Sequence, residues 1–231
     1  MHAQITFTAE SGVAFNGYND VRYFNEENNR GDFFSLTDDF EVEQPRPYIR
    51  AELRWQFLDK NIIELTAAPL SFNYVKLNRT NLQFGNRIYT ADGTRARYEF
   101  NTYRLSYRYE FLQTDKWQIG TGLSVLMRDA RIALSQYGNT EETTDLGFVP
   151  LVSFHVNYLC SDKLDFVLKG DALVGPVGRA EDIFLGIRYQ LFKENLKLRT
   201  GYRIIEGGAD ATEVYNFSLI HFAAVGLQYQ F

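Results

Sequence analysis

The residues of this chain with the most chemistry in them are charged side chains set at every second position of long alternating runs. Ten cations (Arg50, Arg54, Arg104, Arg108, Arg128, Lys169, Arg188, Lys197, Arg199 and Arg203) share such faces with six anions, Glu10, Glu52, Glu64, Glu110, Asp165 and Asp171. Side chains two apart on an extended strand lie on one face. Charges collected that way in a confined interior must pair and be hydrogen-bonded, or their desolvation is prohibitive. The alternative is a narrow ion path, here with a cationic bias that favours anions. A second chemistry is nucleophilic. Ser153 and His155 are two apart and share a face, a spacing that suits a hydroxyl and its base, and Glu52 or Asp171 are candidates for the orienting carboxylate. The chain holds three histidines, His2, His155 and His221, and one cysteine, Cys160, which excludes an intrachain disulfide and a cysteine metal cluster. No metal site and no cofactor are expected. Gly207-Gly208-Ala209-Asp210 reads as a hairpin turn and not as a phosphate loop.

The elements that carry these residues are strands. Apolar and polar residues alternate with period two over ten stretches, roughly 4–16, 45–58, 62–76, 96–113, 117–136, 146–160, 164–174, 183–192, 196–205 and 213–231. Short polar breaks at Asp59-Lys60-Asn61, Thr114-Asp115-Lys116, Ser161-Asp162-Lys163 and Lys193-Glu194-Asn195 read as hairpin turns. The connections between those hairpins, Asn16–Gln44, Asn78–Arg95, Tyr137–Asp145, Gly175–Asp182 and Glu206–Thr212, are mostly longer. One set of tight turns therefore faces one set of longer loops, with both termini on the tight side. That is the asymmetry of short periplasmic turns and external loops. The expected fold is all-β: a single antiparallel transmembrane β-barrel of about ten strands. Eight is one alternative, and twelve follows if Phe33–Val42 pairs.

Charge decides which face is which. Leu53, Trp55 and Phe57 stand opposite Arg54 and Gln56, and Tyr103, Leu105, Tyr107, Tyr109 and Phe111 stand opposite Arg104, Arg108 and Glu110. Arg or Lys at a lipid midplane costs about 2–4 kcal/mol, so the charged faces point inward. A soluble lipocalin-like barrel would hold the same residues the other way round. Aromatics at 16% of the chain are the composition that two interfacial girdles demand. No apolar run approaches the roughly 18 residues of a membrane helix. Met1-His2-Ala3-Gln4 reads as a start or as the stub of a removed signal peptide.

The final strand, Glu213 to Phe231, is apolar at Tyr215, Phe217, Leu219, Ala223, Val225, Leu227, Tyr229 and Phe231 and polar or small between. Its ending, Tyr229-Gln230-Phe231, resembles the C-terminal strand signature of bacterial outer-membrane β-barrel proteins. The segments Gly201-Tyr202-Arg203 and Val214-Tyr215-Asn216-Phe217 are also similar to stretches of uncharacterised outer-membrane barrels. The resemblance covers little of the chain and implies a location, the bacterial outer membrane, and no activity. Ser153 and His155 slightly resemble the serine–histidine pair of lipid A deacylase barrels. Omptin-like proteases place an Asp–His pair at the outer rim, where this chain has no histidine in any expected loop.

Two irregularities stand out. In strand three the apolar positions are odd at Ile63, Leu65 and Ala67 and even at Leu70, Phe72 and Tyr74, which predicts a bulge at Ala68-Pro69. His221 falls on an apolar face, near the outer interface. The loop Asn16–Gln44 carries eight acidic residues against Arg22 and Arg30, and suits divalent cations or a basic protein surface. Phe33, Phe34, Leu36 and Phe40 within it suit a lid or a protein contact. Arg79, Arg87 and Arg95 in the second loop suit lipopolysaccharide phosphates. The net charge of −5 disfavours nucleic acid as a partner. The leading expectation is a non-enzymatic structural or accessory barrel with a plugged lumen. It would present its external loops to a partner or to lipopolysaccharide. A narrow anion-preferring channel is the alternative, and a lipid-modifying hydrolase at Ser153/His155 the next.

Overall fold

The computed structural model describes residues 4–23, 31–175, 178–192, 195–210 and 214–231. In chain order the strands are β1 (Gln4–Tyr23), β2 (Phe34–Ser35), β3 (Phe40–Val42), β4 (Arg46–Phe57), β5 (Asn61–Ala68), β6 (Ser71–Leu77), β7 (Asn81–Phe84) and β8 (Arg87–Thr90). There follow β9 (Arg95–Gln113), β10 (Trp117–Gln136), β11 (Asn139–Ser161), β12 (Leu164–Gly175), β13 (Gly178–Gln190), β14 (Leu196–Asp210) and β15 (Val214–Gln230). They close an antiparallel barrel of ten staves. Around the ring run β9 to β15, then β1, β4, and β5 continued by β6, which returns to β9. The first and last strands zip together from Thr6↔Gln230 to Tyr23↔Val214, so the ring has no open edge there. β2 and β3 are short additions to the outer ends of β1 and β6, and β7–β8 is a separate hairpin, so Phe33–Val42 adds no stave.

One end carries both termini and the turns at 58–60, 114–116 and 162–163, as the sequence requires. At the other end three of the expected loops are strand. β10 and β11 run on to a two-residue turn, Tyr137-Gly138, with φ of 50° and 82°, the left-handed pair that matches hairpin twist. β13 begins at Gly178, β14 reaches Asp210 and β1 continues to Tyr23, while Thr212 lies outside the described residues. The physical reason is that ladders must go on pairing backbone groups wherever strands continue. Above the membrane the outer face meets water and need no longer be apolar, so the alternation fades although the strand does not. β10 and β11, at 20 and 23 residues, are about twice the 9–11 that cross a bilayer.

The outer face of the lower barrel is apolar and exposed, through Leu53, Leu65, Leu105, Leu123, Leu185 and Leu227. Aromatics ring its lower edge. Trp117 packs on Tyr158 at 4.7 Å and Tyr229 on Phe231 at 4.9 Å between ring centroids. His221 faces outward high on β15, stacked on Tyr202 and hydrogen-bonded to its hydroxyl. Among the described residues no helix is long and apolar enough to cross a membrane.

Ala68-Pro69 is not a bulge. Ala68 pairs with Thr102 and Ser71 with Glu99, so the register of β5 and β6 on β9 is unbroken, and Leu70 accepts from the Phe100 N–H at 2.9 Å. Even-numbered side chains face inward throughout: Glu64 and Thr66 below, Leu70, Phe72 and Tyr74 above. It is the interior that changes from charged to apolar. Above this level Tyr98, Ile132, Leu134, Ile220 and Phe222 point in. Phe34, Leu36, Phe40, Leu82, Phe84 and Tyr89 of the loop elements fold over them as one core. Phe34 meets Phe84 edge-on at 6.1 Å, and Tyr74 lies against Phe40 at 6.5 Å. The expected lid is present, except that Phe33 stays exposed against Tyr215. Register shifts of the barrel ladders lie elsewhere, between Asn16 and Tyr18 on β1, Ile119 and Gly120 on β10, and Leu159 and Ser161 on β11.

Candidate functional site: the charged lumen

β1, β4, β5, β9, β12, β13 and β14 each send charged residues inward at the same height, because each alternates charge with lipid-facing apolar residues. They meet as one network. Asp182 takes three guanidiniums, Arg203 at 2.7 Å, Arg104 at 3.0 Å and Arg50 at 3.1 Å. Arg104 also holds Asp171, and Arg50 holds Glu52 at 2.9 Å. Glu52 receives Arg199 at 2.8 Å and Lys169 at 3.1 Å. Lys169 bridges on to Glu64, which Arg108 reaches at 2.7 Å. Glu10 accepts from Arg203 at 3.2 Å and from the Tyr48 hydroxyl at 3.1 Å, and lies 3.4 Å from Arg199. All eleven of these charged residues are buried.

Two smaller groups lie nearer the tight-turn end. Asp165 pairs with Lys197 at 2.8 Å and Arg188 at 3.2 Å. Glu110 pairs with Arg54 at 3.1 Å and with His155 Nε2 at 2.9 Å. Between them and the main network is a polar cavity of about 50 Å³, lined by Arg54, Arg108, His155, Arg188 and Arg199 among others. The Nε groups of Arg108, Arg188 and Arg199 and the His155 Nδ1 have no protein partner, so a cavity of this polarity and size is suited to ordered water. In the three groups nine Lys and Arg side chains face seven carboxylates. Such close interdigitation of opposite charges is what makes burial of this many ions tolerable.

Of the residues expected in the lumen, Arg50, Glu52, Arg54, Glu64, Arg104, Arg108, Glu110, Asp165, Lys169, Asp171, Arg188, Lys197, Arg199 and Arg203 all lie in these groups. Arg128 stands apart: it faces inward higher up and pairs with the half-exposed Asp145 on the next strand. The sequence reading omitted Asp182, because it stood at the edge of an expected loop, although it ties three arginines together. It also omitted Phe184, which is fully buried beneath the guanidiniums of Arg199 at 4.0 Å and Arg203 at 5.1 Å. Its signal was there in Gly186 and Gly201. A Cβ on either would stand within 2.8 Å of the Phe184 ring, so the glycines make its room.

Ser153 and His155 share the inward face of β11 and do not engage each other. Arg108 donates to Ser153 Oγ at 3.2 Å, and His155 is taken by Glu110. Neither Glu52 nor Asp171 orients the imidazole; Asp171 instead accepts from the Ser124 hydroxyl. Outside the barrel, the acidic and basic loops neutralise each other. Arg79 lies 3.6 Å from Asp39 and donates to the Phe33 carbonyl, Arg87 lies 3.7 Å from Glu141, and Lys76 pairs with Glu41. Glu26, Glu27 and Arg30 lie outside the described residues. Among the described residues no group of three or more His, Cys, Asp or Glu is placed to hold a metal.

A lipid-facing apolar band, an interfacial aromatic girdle, an inward charge set and closure of β1 on β15 define a bacterial outer-membrane β-barrel. Comparison with solved structures agrees. The outer-membrane protease OmpT of Escherichia coli superposes with a TM-score of 0.58 at 11% identity, covering 99% of this chain and 97% of that one. The attachment invasion protein Ail of Yersinia pestis gives 0.46 at 8% identity over the full length of both chains. Neisserial surface protein A gives 0.36 at 11%, again over both full lengths. The likeness to OmpT, at this identity, is one of fold alone. No family model and no curated protein matches the sequence.

Proposed function

We propose that the protein is a non-enzymatic, non-conducting outer-membrane barrel that serves as a structural or accessory protein, presenting its outer end to a partner or to lipopolysaccharide. The observation that carries this reading is the mutual neutralisation of the lumen charges, buried from Arg50 to Arg203 across the section of the barrel. A conducting path needs charges that an ion can approach and leave, and these are occupied by one another. The apolar lid of Phe34, Leu36 and Phe40 adds a second closure above them. The exposed face of that lid, with the 31–44 segment tied to the 78–94 segment by Arg79, is the surface offered for contact.

A second reading, a narrow anion-preferring channel, is favoured by the excess of cations over carboxylates beside the 50 Å³ cavity. Single-channel recording of the refolded protein in planar bilayers under KCl gradients separates the two. The expected result is silence. Steady openings with anion preference overturn the plug and make Arg104, Arg108, Arg199 and Arg203 the residues to replace.

A further inference from the structure

One stretch of the barrel wall is unzipped. β11 and β12 pair from Ser161↔Leu164 to Val152↔Ala172, and the ladder stops there although β11 extends up to Asn139 and β12 to Gly175. In the same register Leu151 and Pro150 would next face Leu173 and Val174. β11 stays paired to β10 straight through Val125↔Pro150. The donor that Pro150 lacks is therefore missing on the β12 side, where a ladder needs it.

Behind the gap lies a cavity of about 270 Å³. Its lining includes lumen-facing Leu126, Leu151, Leu173 and Ile205, and also Phe148 and Pro150 from the lipid-facing side of β11, so it is reached through the wall. Its cations are already matched: Arg104 with Asp182 at the floor, Arg128 with Asp145 at the side, Arg179 with Glu206 at the rim. What they leave, among the described residues, is a mostly apolar surface with no free cation; Glu181, on the lipid-facing parity of β13, is the one lining carboxylate without an ion pair.

The height of the gap is set by the girdle. Pro150 lies about eight residues above Tyr158 on β11, which is about 26 Å of strand and about 20 Å of height at a tilt of about 40°. The apolar band of such barrels is about 25 Å tall. On β10 its upper edge is Met127, opposite Phe148, with Asp129 the next outward residue. The gap opens into the outer leaflet.

We propose that this gap is a lateral port, and that the cavity receives an uncharged hydrocarbon segment from the outer leaflet. The volume lies just below the 300–1,000 Å³ of small-molecule sites, so it admits one alkyl chain or one small apolar molecule and not a whole lipid. The inference stands on the wall and the cavity, and does not depend on whether the lumen conducts.

The test is photolabelling of the intact protein in phospholipid vesicles, with peptide mass spectrometry of the products. One set of vesicles carries a phospholipid with a diazirine in its acyl chain, and another carries free 3-trifluoromethyl-3-phenyldiazirine. The expected result is label on the inward-facing Leu126 and Ile205 as well as on lipid-facing Leu123. Leu173→Trp, which fills the cavity from a half-open position, lowers the inward label roughly tenfold, as about 1.4 kcal/mol of lost occupancy requires. Pro150→Val, which restores the donor, lowers it while leaving the cavity itself unfilled. Label at Leu123 stays constant and reports that each variant is folded and inserted. Inward label from the acyl-chain reagent identifies bilayer lipid as the occupant; inward label from the free reagent alone identifies a small apolar solute. Label confined to lipid-facing positions, or inward label that Leu173→Trp leaves unchanged, overturns the proposal.

Discussion

Replacing Asp182 with Asn removes one charge and almost no volume from the centre of the network. Three guanidiniums, from Arg203, Arg104 and Arg50, lie 2.7, 3.0 and 3.1 Å from that carboxylate, all buried. Each contact is worth about 4 kcal/mol at an effective dielectric of about 20. The loss is smaller than three such terms, because the carboxylate also sheds its desolvation cost and every arginine keeps a second anion. Arg104 retains Asp171, Arg50 retains Glu52, and Arg203 retains Glu10. Buried pairs broken from one side lose about 3–5 kcal/mol, and with three donors converging Asp182→Asn belongs in that range. Urea unfolding in phospholipid vesicles, followed by tryptophan fluorescence and by heat-modifiable migration, measures it. Glu41→Gln, in the exposed pair with Lys76, is the control and costs at most about 1 kcal/mol. Arg104→Met combined with Asp182→Asn should fall short of the sum of the single losses by about 0.5–3 kcal/mol, since the two share a contact. A loss below about 1 kcal/mol for Asp182→Asn, or strict additivity in the double variant, refutes the idea that the network holds the barrel together.

Two further outcomes follow from placement. Leu123→Arg, on the lipid face near the middle of the band, should cost about 2–4 kcal/mol of unfolding free energy. Leu146→Arg, outward but above the band, should stay within about 0.5 kcal/mol; equal costs would remove the membrane boundary drawn at Met127. Phe34→Ala empties a fully buried site in the lid, a change of about 3–5 kcal/mol in a closed core. Limited proteolysis should then cut between residues 31 and 44 while the barrel migrates as folded, and a lid that stays resistant would show that its packing is not what holds it.

How much of this was legible in the sequence depends on height in the barrel. Below the membrane's outer edge, lipid on one side forces a strict rule on every strand. The alternation of Leu105, Tyr107 and Tyr109 with Arg104, Arg108 and Glu110 therefore gave face, strand and lumen set together. Above that edge the rule lapses. Residues 139–145 are free of it and read as loop, yet they are β11. The interior there is apolar, which is why the parity change at Ala68-Pro69 looked like a bulge when only the environment had switched. Partners were beyond reach for another reason. Arg50 and Asp182 are 132 residues apart in the chain, and His155 turns to Glu110, not Ser153, because the register of β9, β10 and β11 puts that carboxylate beside it.

The two halves of the interior are closed by opposite physics, and each choice follows from what lies outside the wall. Where lipid surrounds the barrel, apolar side chains are committed outward and the inward positions are left to polar ones, which have to neutralise one another. Where water surrounds it, the inward positions are free to be apolar, and loops from the chain itself can cover them as in a soluble domain. The consequence is mechanical. The lid rests on β2, β3 and β7–β8, segments with few ladder bonds of their own, so it can be displaced without touching the barrel. The charge network stands on staves hydrogen-bonded on both sides, and moving Arg203 or Glu52 means moving a stave. The break above Val152↔Ala172 is where the wall itself gives way, and it lies above the network. A barrel built in this order has a cavity reached from the side and a floor that stays shut when the lid is gone.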